Sequence, residues 1–312
     1  MITLNGQWKM KQVKEKEWHR GTVPGTVYTD LLTEGLIVDP YVGENEDEIR
    51  DLSYNDYLYE REFVISKEDL SNERNLLICK GIDTIADLFV NGKQIGSCEN
   101  MHREYEFDLT GFLKEGVNQI QVYFHSPMKY MQKLYEKKPL WGVTSTVPGY
   151  QYIRKAHCMF GWDWGPKLPD MGIWRDIYIE EVNGARIQNV QIRQQNEEEV
   201  SLLSVILKNE VMPGDAAGIT AECRVYDPEG KELAIQTAEA KETQIFPIEI
   251  KNPERWWPNG YGEQKLYQVC VSLKRENQII QEKSIRFGIR DFTVIRRPDE
   301  WGAGFTFCIN GM

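Results

Sequence analysis

The sequence has no long apolar stretch, and none of its runs approaches the ~20 residues that a bilayer-spanning helix needs. Its first residues enter a strand-like pattern without the basic start, apolar middle and small-residue cleavage site of a signal peptide. The six cysteines lie far apart, no Cys-x-x-Cys pair occurs, and no Asn-x-Ser/Thr acceptor is present. We therefore expect a cytoplasmic protein with reduced thiols, and neither a disulfide framework nor a membrane partner.

Positive charge is also scarce. The 312 residues include 37 Lys and Arg against 48 Asp and Glu, which gives a net charge of −11. Because an acidic chain repels phosphate groups, and no basic cluster reverses the sign locally, we expect no nucleic-acid partner. Only four histidines occur, and each lacks a second His or Cys at metal-ligand spacing: His19, His102, His125 and His157. We expect no metal and no cofactor.

Helical periodicity is rare as well, and is limited to residues 29–35 and 128–135. Short alternating strands separated by turn residues account for most of the remaining chain. The clearest hairpin is at Asn91 and Gly92, because this pair supplies the two positive-φ positions of a type I′ turn. Residues 173–179, which include Trp174, alternate in the same way and predict a core strand. The pattern predicts an all-β first domain, residues 1–183, folded as a jelly-roll β-sandwich.

A change in composition near residues 182–185 predicts a domain boundary. About seven further strands follow within ~105 residues, which is the size of an immunoglobulin-like β-sandwich of the kind without a disulfide. The predicted strands are residues 186–193, 200–207, 219–226, 233–238, 243–250, 266–274 and 279–287. We assign residues 184–290 to this second domain.

The last eight residues end on an alternating strand and the turn pair Asn310 and Gly311, with no returning strand. Native domains avoid an unpaired strand edge of this kind at their ends. We therefore expect the chain to be truncated; a frayed natural tail is the alternative.

Aromatic residues are prominent, with nine Trp and 15 Tyr, and the sharpest motif places two indoles in a polar loop. Residues 160–166 read Phe-Gly-Trp-Asp-Trp-Gly-Pro, so that Asp163 lies between Trp162 and Trp164. An ionised carboxylate can accept two hydrogen bonds from neighbouring sugar hydroxyls, while an indole face covers the apolar side of a pyranose ring. The motif predicts a sugar contact; the alternative is a Trp-rich turn that plugs the edge of the sandwich.

Other candidate segments favour structural roles. Residues 255–262 hold two adjacent Trp before Pro-Asn-Gly, which predicts a packed loop pinned to a neighbouring domain. Residues 154–157 predict a solvated face or a pocket lining, and the acidic runs 44–48 and 197–199 are typical of solvated surface. No Gly-x-Ser-x-Gly elbow, phosphate-binding P-loop or dinucleotide glycine fingerprint occurs.

Several motifs, in order along the chain, resemble the N-terminal part of the β-mannosidases of glycoside hydrolase family 2. The most specific match is residues 152–156, Tyr-Ile-Arg-Lys-Ala, running into residues 160–166. The other matching segments are residues 23–27, 29–32, 35–37, 39–41, 81–86, 89–92, 256–262 and 288–290. The resemblance covers the whole chain. It implies a galactose-binding-like jelly roll, then an immunoglobulin-like sandwich, with residues 291–312 as the start of a (β/α)8 barrel.

In that family the barrel carries both catalytic glutamates, and the acid/base follows an Asn. The Asn-Glu pairs here begin at residues 45, 72, 196 and 209, in predicted polar loops or sandwich strands, so we expect no catalytic residue in this chain. The resemblance implies that Trp162, Asp163 and Trp164 bind substrate by helping to shape the glycone pocket. It implies two partners, a β-mannoside oligosaccharide and the catalytic barrel of the same chain.

The resulting hypothesis is the non-catalytic N-terminal part of a retaining exo-β-mannosidase that removes terminal β-D-mannosyl residues. Two alternatives remain, namely a stand-alone non-catalytic carbohydrate-binding module and a structural sandwich pair that docks another subunit. The residues also leave a related glycoside, such as a glucuronide or a galactoside, open as the substrate.

Overall fold

Strands with alternating burial are the main secondary structure in this computed structural model, which describes residues 1–211 and 218–312. The chain divides into two units, Met1–Val182 and Asn183–Met312. The α-helices of the described chain lie in the first unit and are α1 (Val27–Thr33), α2 (Asn45–Asp51) and α3 (Pro127–Lys137). None of these described helices has the length and apolar content that a membrane crossing requires.

The first unit is a sandwich of antiparallel strands. Its strands are β1 (Ile2–Thr3), β2 (Gly6–Gln12), β3 (His19–Val23), β4 (Tyr57–Ile65), β5 (Arg74–Cys79), β6 (Ile82–Asp83), β7 (Ala86–Val90), β8 (Lys93–Cys98), β9 (Tyr105–Asp108), β10 (Gly116–Phe124), β11 (Gly172–Ile173) and β12 (Ile177–Val182). A four-stranded sheet has the order β1-β12-β5-β9, and a six-stranded sheet has the order β3-β2-β4-β10-β7-β8. Strands β11 and β6 form a separate two-stranded sheet. This is the jelly-roll sandwich that the strand pattern predicts.

The core of the first unit follows from alternation at period two. Along β10, Ile120, Val122 and Phe124 are fully buried, and the residues between them are only partly so. Phe124 meets Tyr59 of β4 edge to face, with ring centroids 5.6 Å apart. These side chains belong to one buried cluster with Leu77 of β5, so this face packs the six-stranded sheet against the four-stranded one.

The hairpin predicted at Asn91 and Gly92 is confirmed. Strands β7 and β8 pair so that Val90 lies opposite Lys93, and the two residues between them form the turn. Asn91 has φ +52° and Gly92 has φ +76°, as a type I′ turn requires.

Trp174 departs from the prediction of a core strand over residues 173–179. The chain leaves the sheet between β11, which pairs with β6, and β12, which pairs with β5. Trp174 lies in this interruption, where its indole covers Gly81 so closely that a Cβ there would lie 2.6 Å from the indole nitrogen. The alternation was real, but it spans two strands with different neighbours.

The second unit contains the predicted seven strands. They are β13 (Ala185–Asn196), β14 (Val200–Val211), β15 (Ile219–Tyr226), β16 (Glu232–Glu239), β17 (Thr243–Lys251), β18 (Tyr267–Arg275) and β19 (Gln278–Phe287). They form a three-stranded sheet, β13-β14-β17, and a four-stranded sheet, β16-β15-β18-β19. This is the immunoglobulin-like sandwich, and its cysteines are free thiols.

The end of the chain forms two small two-stranded sheets. Four short strands follow the sandwich, namely β20 (Phe292–Ile295), β21 (Pro298–Asp299), β22 (Gly302–Ala303) and β23 (Thr306–Ile309). Strand β23 pairs with β20, so that Ile309 lies opposite Phe292. No strand follows the final turn in the described chain, and the other edge of β23 has no strand neighbour, as the sequence predicts.

A buried carboxyl group links α1 to the six-stranded sheet. Asp30 of α1 accepts hydrogen bonds from the Tyr59 hydroxyl (2.6 Å) and from the Thr22 backbone N–H (2.9 Å). Burial raises the pKa of Asp30 to about 6, although both hydrogen bonds act in the opposite direction. The folded protein therefore holds this proton more tightly than the unfolded chain does.

We predict that Asp30→Asn makes stability less dependent on pH between about 5.5 and 7. Folded Asp30 takes up its proton near pH 6 and the unfolded residue only near about pH 4, so its contribution to the free energy of unfolding rises as the pH falls through this range. Urea unfolding should show a difference on the order of 1 kcal/mol between the pH dependence of the native chain and that of the variant.

Asp51→Asn, at an exposed carboxyl group, is the matched control and should keep the native pH dependence. If Asp30→Asn and the native chain show the same change in unfolding midpoint over this range, the buried carboxyl group is not its source.

Candidate functional site

Residues 160–166, here called the aromatic loop, begin at a fully buried residue of the first unit. Phe160 packs in a small apolar cluster with Met131 and Ile153, and its carbonyl accepts a hydrogen bond from the Val147 N–H at 3.0 Å. A β-bridge between Phe160 and Lys167 closes the base of the loop. Both ends of the loop are therefore held in place.

The backbone of the aromatic loop is sharply bent. Gly161 has φ +97°, and a Cβ at this position would lie 2.6 Å from the Cγ of Lys167. Trp162 also has a positive φ, +81°, which is unfavourable for a residue with a bulky side chain. Strain of this kind persists where the surroundings enforce it, and it is common at functional sites.

The predicted site residues lie together on the surface of the loop. The indoles of Trp162 and Trp164 meet edge to face, with centroids 4.2 Å apart and planes at 84°. They remain 45% and 57% exposed, and Asp163 between them is exposed as well. Within the described chain, Asp163 makes no hydrogen bond or ion pair, so both carboxylate oxygens can accept from a ligand.

A buried ion pair fixes both flanks of the loop. The Lys155 ammonium group donates to a carboxylate oxygen of Asp83 in β6 and, at 2.9 Å, to the backbone carbonyl of Asp170. Thr84 donates its hydroxyl to the other carboxylate oxygen of Asp83. Lys155 precedes the loop and Asp170 follows it, so one ammonium group joins the two flanks to the same strand.

The prediction that residues 154–157 form a solvated face or line a pocket is wrong for Lys155. Its side chain is fully buried, and so is that of Asp83. A lysine can lose its water in this way only because a carboxylate and a carbonyl replace it. The sequence shows the lysine but not its partner, which lies 72 positions earlier in the chain.

The acidic run 44–48 is also more than solvated surface. It forms the start of α2, where acidic side chains complement the helix dipole. Glu46 accepts a hydrogen bond from the Lys167 N–H at 2.8 Å, which fastens α2 to the end of the aromatic loop. Glu46 therefore helps to position the end of the aromatic loop.

A cleft of about 350 Å³ lies beside the loop and was not predicted from the sequence. Its lining is mostly apolar and includes Tyr41, Met159, Pro166 and Leu168, with Asp170 as its buried carboxyl group. Burial raises the pKa of Asp170 to about 7, opposed by the Thr26 hydroxyl, by backbone N–H donors and by Lys155. The lining residues come from distant segments, so no local pattern could have revealed the cleft.

The second aromatic segment, residues 255–262, packs within its own unit. Trp256 covers Gly288, where a Cβ would lie 2.6 Å from the Trp256 side chain. The Arg290 guanidinium group lies 4.5 Å from the centroid of the same indole. Trp257 covers Gly262 in a similar way. These contacts give the segment a packing role.

The histidines do not assemble a metal site. Among the described residues, no group of three or more His, Cys, Asp or Glu side chains is arranged to hold a metal ion. His125 is instead paired with Asp87, with 2.7 Å between its Nε2 and the carboxylate.

Comparison with known proteins places these two units in one family. Residues 8–175 match the galactose-binding domain-like model of glycosyl hydrolase 2, and residues 185–290 match the model of glycosyl hydrolases family 2. The chain belongs to glycosyl hydrolase family 2. Both sandwiches are thus accounted for, and the aromatic loop lies in the galactose-binding-like domain of the family.

Several relatives of this family 2 chain are β-mannosidases. A β-D-mannosidase structure from Dictyoglomus thermophilum shares 34% identity at a TM-score of 0.90, over 100% of this chain and 39% of that one. The β-mannosidase of Bos taurus is 29% identical over 100% of this chain and 37% of its own length. β-Mannosidase B of Neosartorya fischeri is 32% identical over 93% of this chain and 35% of its length. The chain corresponds to the N-terminal portion of such enzymes and spans little more than a third of their length.

We predict that Lys155→Met destabilises the first unit by about 3–5 kcal/mol, because it leaves the Asp83 carboxylate buried without its counter-charge. The double variant Lys155→Met/Asp83→Asn should recover much of this loss, since it removes the second charge as well. Guanidinium unfolding measures both effects.

Lys129→Met, at an exposed lysine of α3, is the control and should change stability by less than about 0.5 kcal/mol. A Lys155→Met variant as stable as this control would contradict a role for the ion pair in holding the loop.

Proposed function

We propose that this chain is the N-terminal, non-catalytic portion of a retaining exo-β-mannosidase that hydrolyses terminal β-D-mannosyl residues. The family matches and the β-mannosidase relatives support this proposal. In a retaining glycosidase, one carboxylic acid protonates the leaving group and a second carboxylate attacks the sugar. We assign both glutamates to the (β/α)8 barrel that follows this portion, with residues 291–312 as its start. The cytoplasmic location stays a prediction.

The observation that carries the proposal is the state of Asp163. It is exposed and unpartnered in the described chain, between two exposed indoles, on a loop whose flanks are fixed by Lys155. Hydroxyl groups of a sugar can donate to its oxygens, and charge-assisted bonds of this kind are stronger than neutral ones. Trp162 and Trp164 offer apolar surface for the C–H face of the same ring. We therefore assign these three residues to the wall of the glycone pocket.

We predict that the 312-residue chain by itself hydrolyses no glycoside. Retention needs two carboxyl groups about 5 Å apart on either side of the bond, one of them kept protonated. We assign both groups to the barrel and not to this chain. Incubation of the purified chain at high concentration with an aryl β-mannoside should release no more phenol than buffer does. Turnover that disappears on replacement of a single Glu of this chain would contradict the prediction.

The same sample distinguishes the stand-alone carbohydrate-binding module. One loop removes water from only part of a monosaccharide, so the proposed wall of a larger pocket should bind mannose weakly by itself. A stand-alone binding module would have to cover far more of the sugar surface. Micromolar binding of mannose in a calorimetric titration would favour the module over the proposed enzyme portion.

We predict that Asp163→Asn in the full-length protein lowers kcat/KM for a β-mannoside about 10- to 150-fold. The amide keeps the shape of the side chain but loses the charge-assisted part of its bonds to the sugar, worth about 1.5–3 kcal/mol. The melting temperature should stay within about 1–2 °C of the native value, because no contact of the fold is lost.

Measurement of kcat/KM and melting temperature on one sample separates this role from a structural one. A lower melting temperature with unchanged kcat/KM would show that Asp163 stabilises the fold and does not bind substrate. Asp51→Asn, at another exposed carboxyl group of the first unit, controls for the loss of a surface charge.

A further inference from the structure

Trp141 is the most exposed large apolar side chain among the described residues, at 91% of its surface. An indole in water contributes nothing to the hydrophobic stabilisation of the fold, because apolar surface stabilises only when it is buried. Trp141 lies in residues 138–147, the segment between α3 and the aromatic loop, and the site described above gives it no role.

This segment is held in place at several points. The Trp141 carbonyl accepts a hydrogen bond from the Gln151 side-chain amide at 2.9 Å, and the Tyr152 hydroxyl donates to the Lys138 carbonyl. A Cβ at Gly142 would lie 2.3 Å from the Gln151 amide nitrogen, so the backbone passes directly over that side chain. The exposed indole is therefore attached to a backbone with a fixed path.

The segment is also joined to the base of the aromatic loop. Thr146 forms a β-bridge with Gly161, the residue before Trp162. The Thr146 N–H donates to the Val143 carbonyl at 3.2 Å, which marks a β-turn whose ends lie within about 7 Å. Trp141 is two residues before Val143, so its Cα lies within roughly 14 Å of Thr146. The segment that carries the exposed indole of Trp141 is thus bridged to the residue from which the Trp162–Trp164 stretch begins.

We propose that Trp141 is a stacking platform for the second sugar unit of the substrate, the one that leaves when the terminal mannosyl unit is cleaved. This assignment rests on the proposed function, in which Asp163 and its two indoles contact the terminal sugar. A pyranose is uncharged and has an apolar C–H face, which suits a bare indole with no charged group bonded to it. Trp141 contacts only the leaving group, so it sets preference for chain length without touching the reacting atoms.

The test compares two substrates of the full-length protein. Trp141→Ala should raise KM for β-1,4-mannotriose about 3- to 10-fold with little change in kcat, because stacking binds ground state and transition state alike. For methyl β-D-mannoside, whose leaving group has no ring, KM and kcat should stay within about 2-fold. Trp141→Tyr, which keeps a flat aromatic face, should restore most of the affinity for the trisaccharide.

Trp18→Ala removes another partly exposed indole of the first unit, one that lies under the Lys11 ammonium group, and should affect neither substrate selectively. Equal effects of Trp141→Ala on both substrates, an unchanged KM for mannotriose, or a lower melting temperature with both activities reduced would overturn the assignment. If the native full-length protein cleaves neither substrate, the proposed function and this assignment fall together. Turnover of both substrates without an effect of Trp141→Ala overturns the assignment alone.

Discussion

The conformation of the aromatic loop depends on one buried ammonium group. Lys155 loses all of its water, and this cost is offset only because Asp83 supplies a counter-charge and the Asp170 carbonyl a further acceptor. Because the same ammonium group comes from one flank of the loop and contacts the other, it fixes the distance between them. The residues between the flanks need not stabilise the fold, and their side chains are available for another purpose.

The side chains of the loop differ from comparable residues elsewhere in the chain. Trp256 lies against Gly288 and under Arg290, so its indole serves packing. Trp162 and Trp164 instead contact each other and leave 45% and 57% of their surfaces exposed. Trp162 also keeps a positive φ that costs on the order of 1–3 kcal/mol. Exposed indoles on a strained, clamped backbone fit the proposed role in binding a flat sugar ring.

Local features of the sequence predicted local features of the fold. Asn91 and Gly92 specify their turn because the required φ values are a property of those two residues. The aromatic loop was likewise visible in its own seven residues. The partners of Lys155 and Glu46, and the cleft beside Asp170, could not be predicted, because each joins segments far apart in the chain. The core strand predicted around Trp174 was wrong for the same reason, since the chain pairs with β6 before this residue and with β5 after it.

Three carboxyl groups of the first unit differ in whether their oxygens are available to a ligand. Asp30 and Asp170 are buried, and their oxygens accept hydrogen bonds from the protein's own donors, so a ligand would have to displace them. Asp163 has no such partner in the described chain and keeps its hydration. A sugar bound to this loop alone would also keep most of its own water, whereas ligand pockets bury most of the ligand surface. The loop therefore suits one wall of a pocket, and the proposed second wall lies in the part of the relatives, almost two thirds of their length, that this chain does not span.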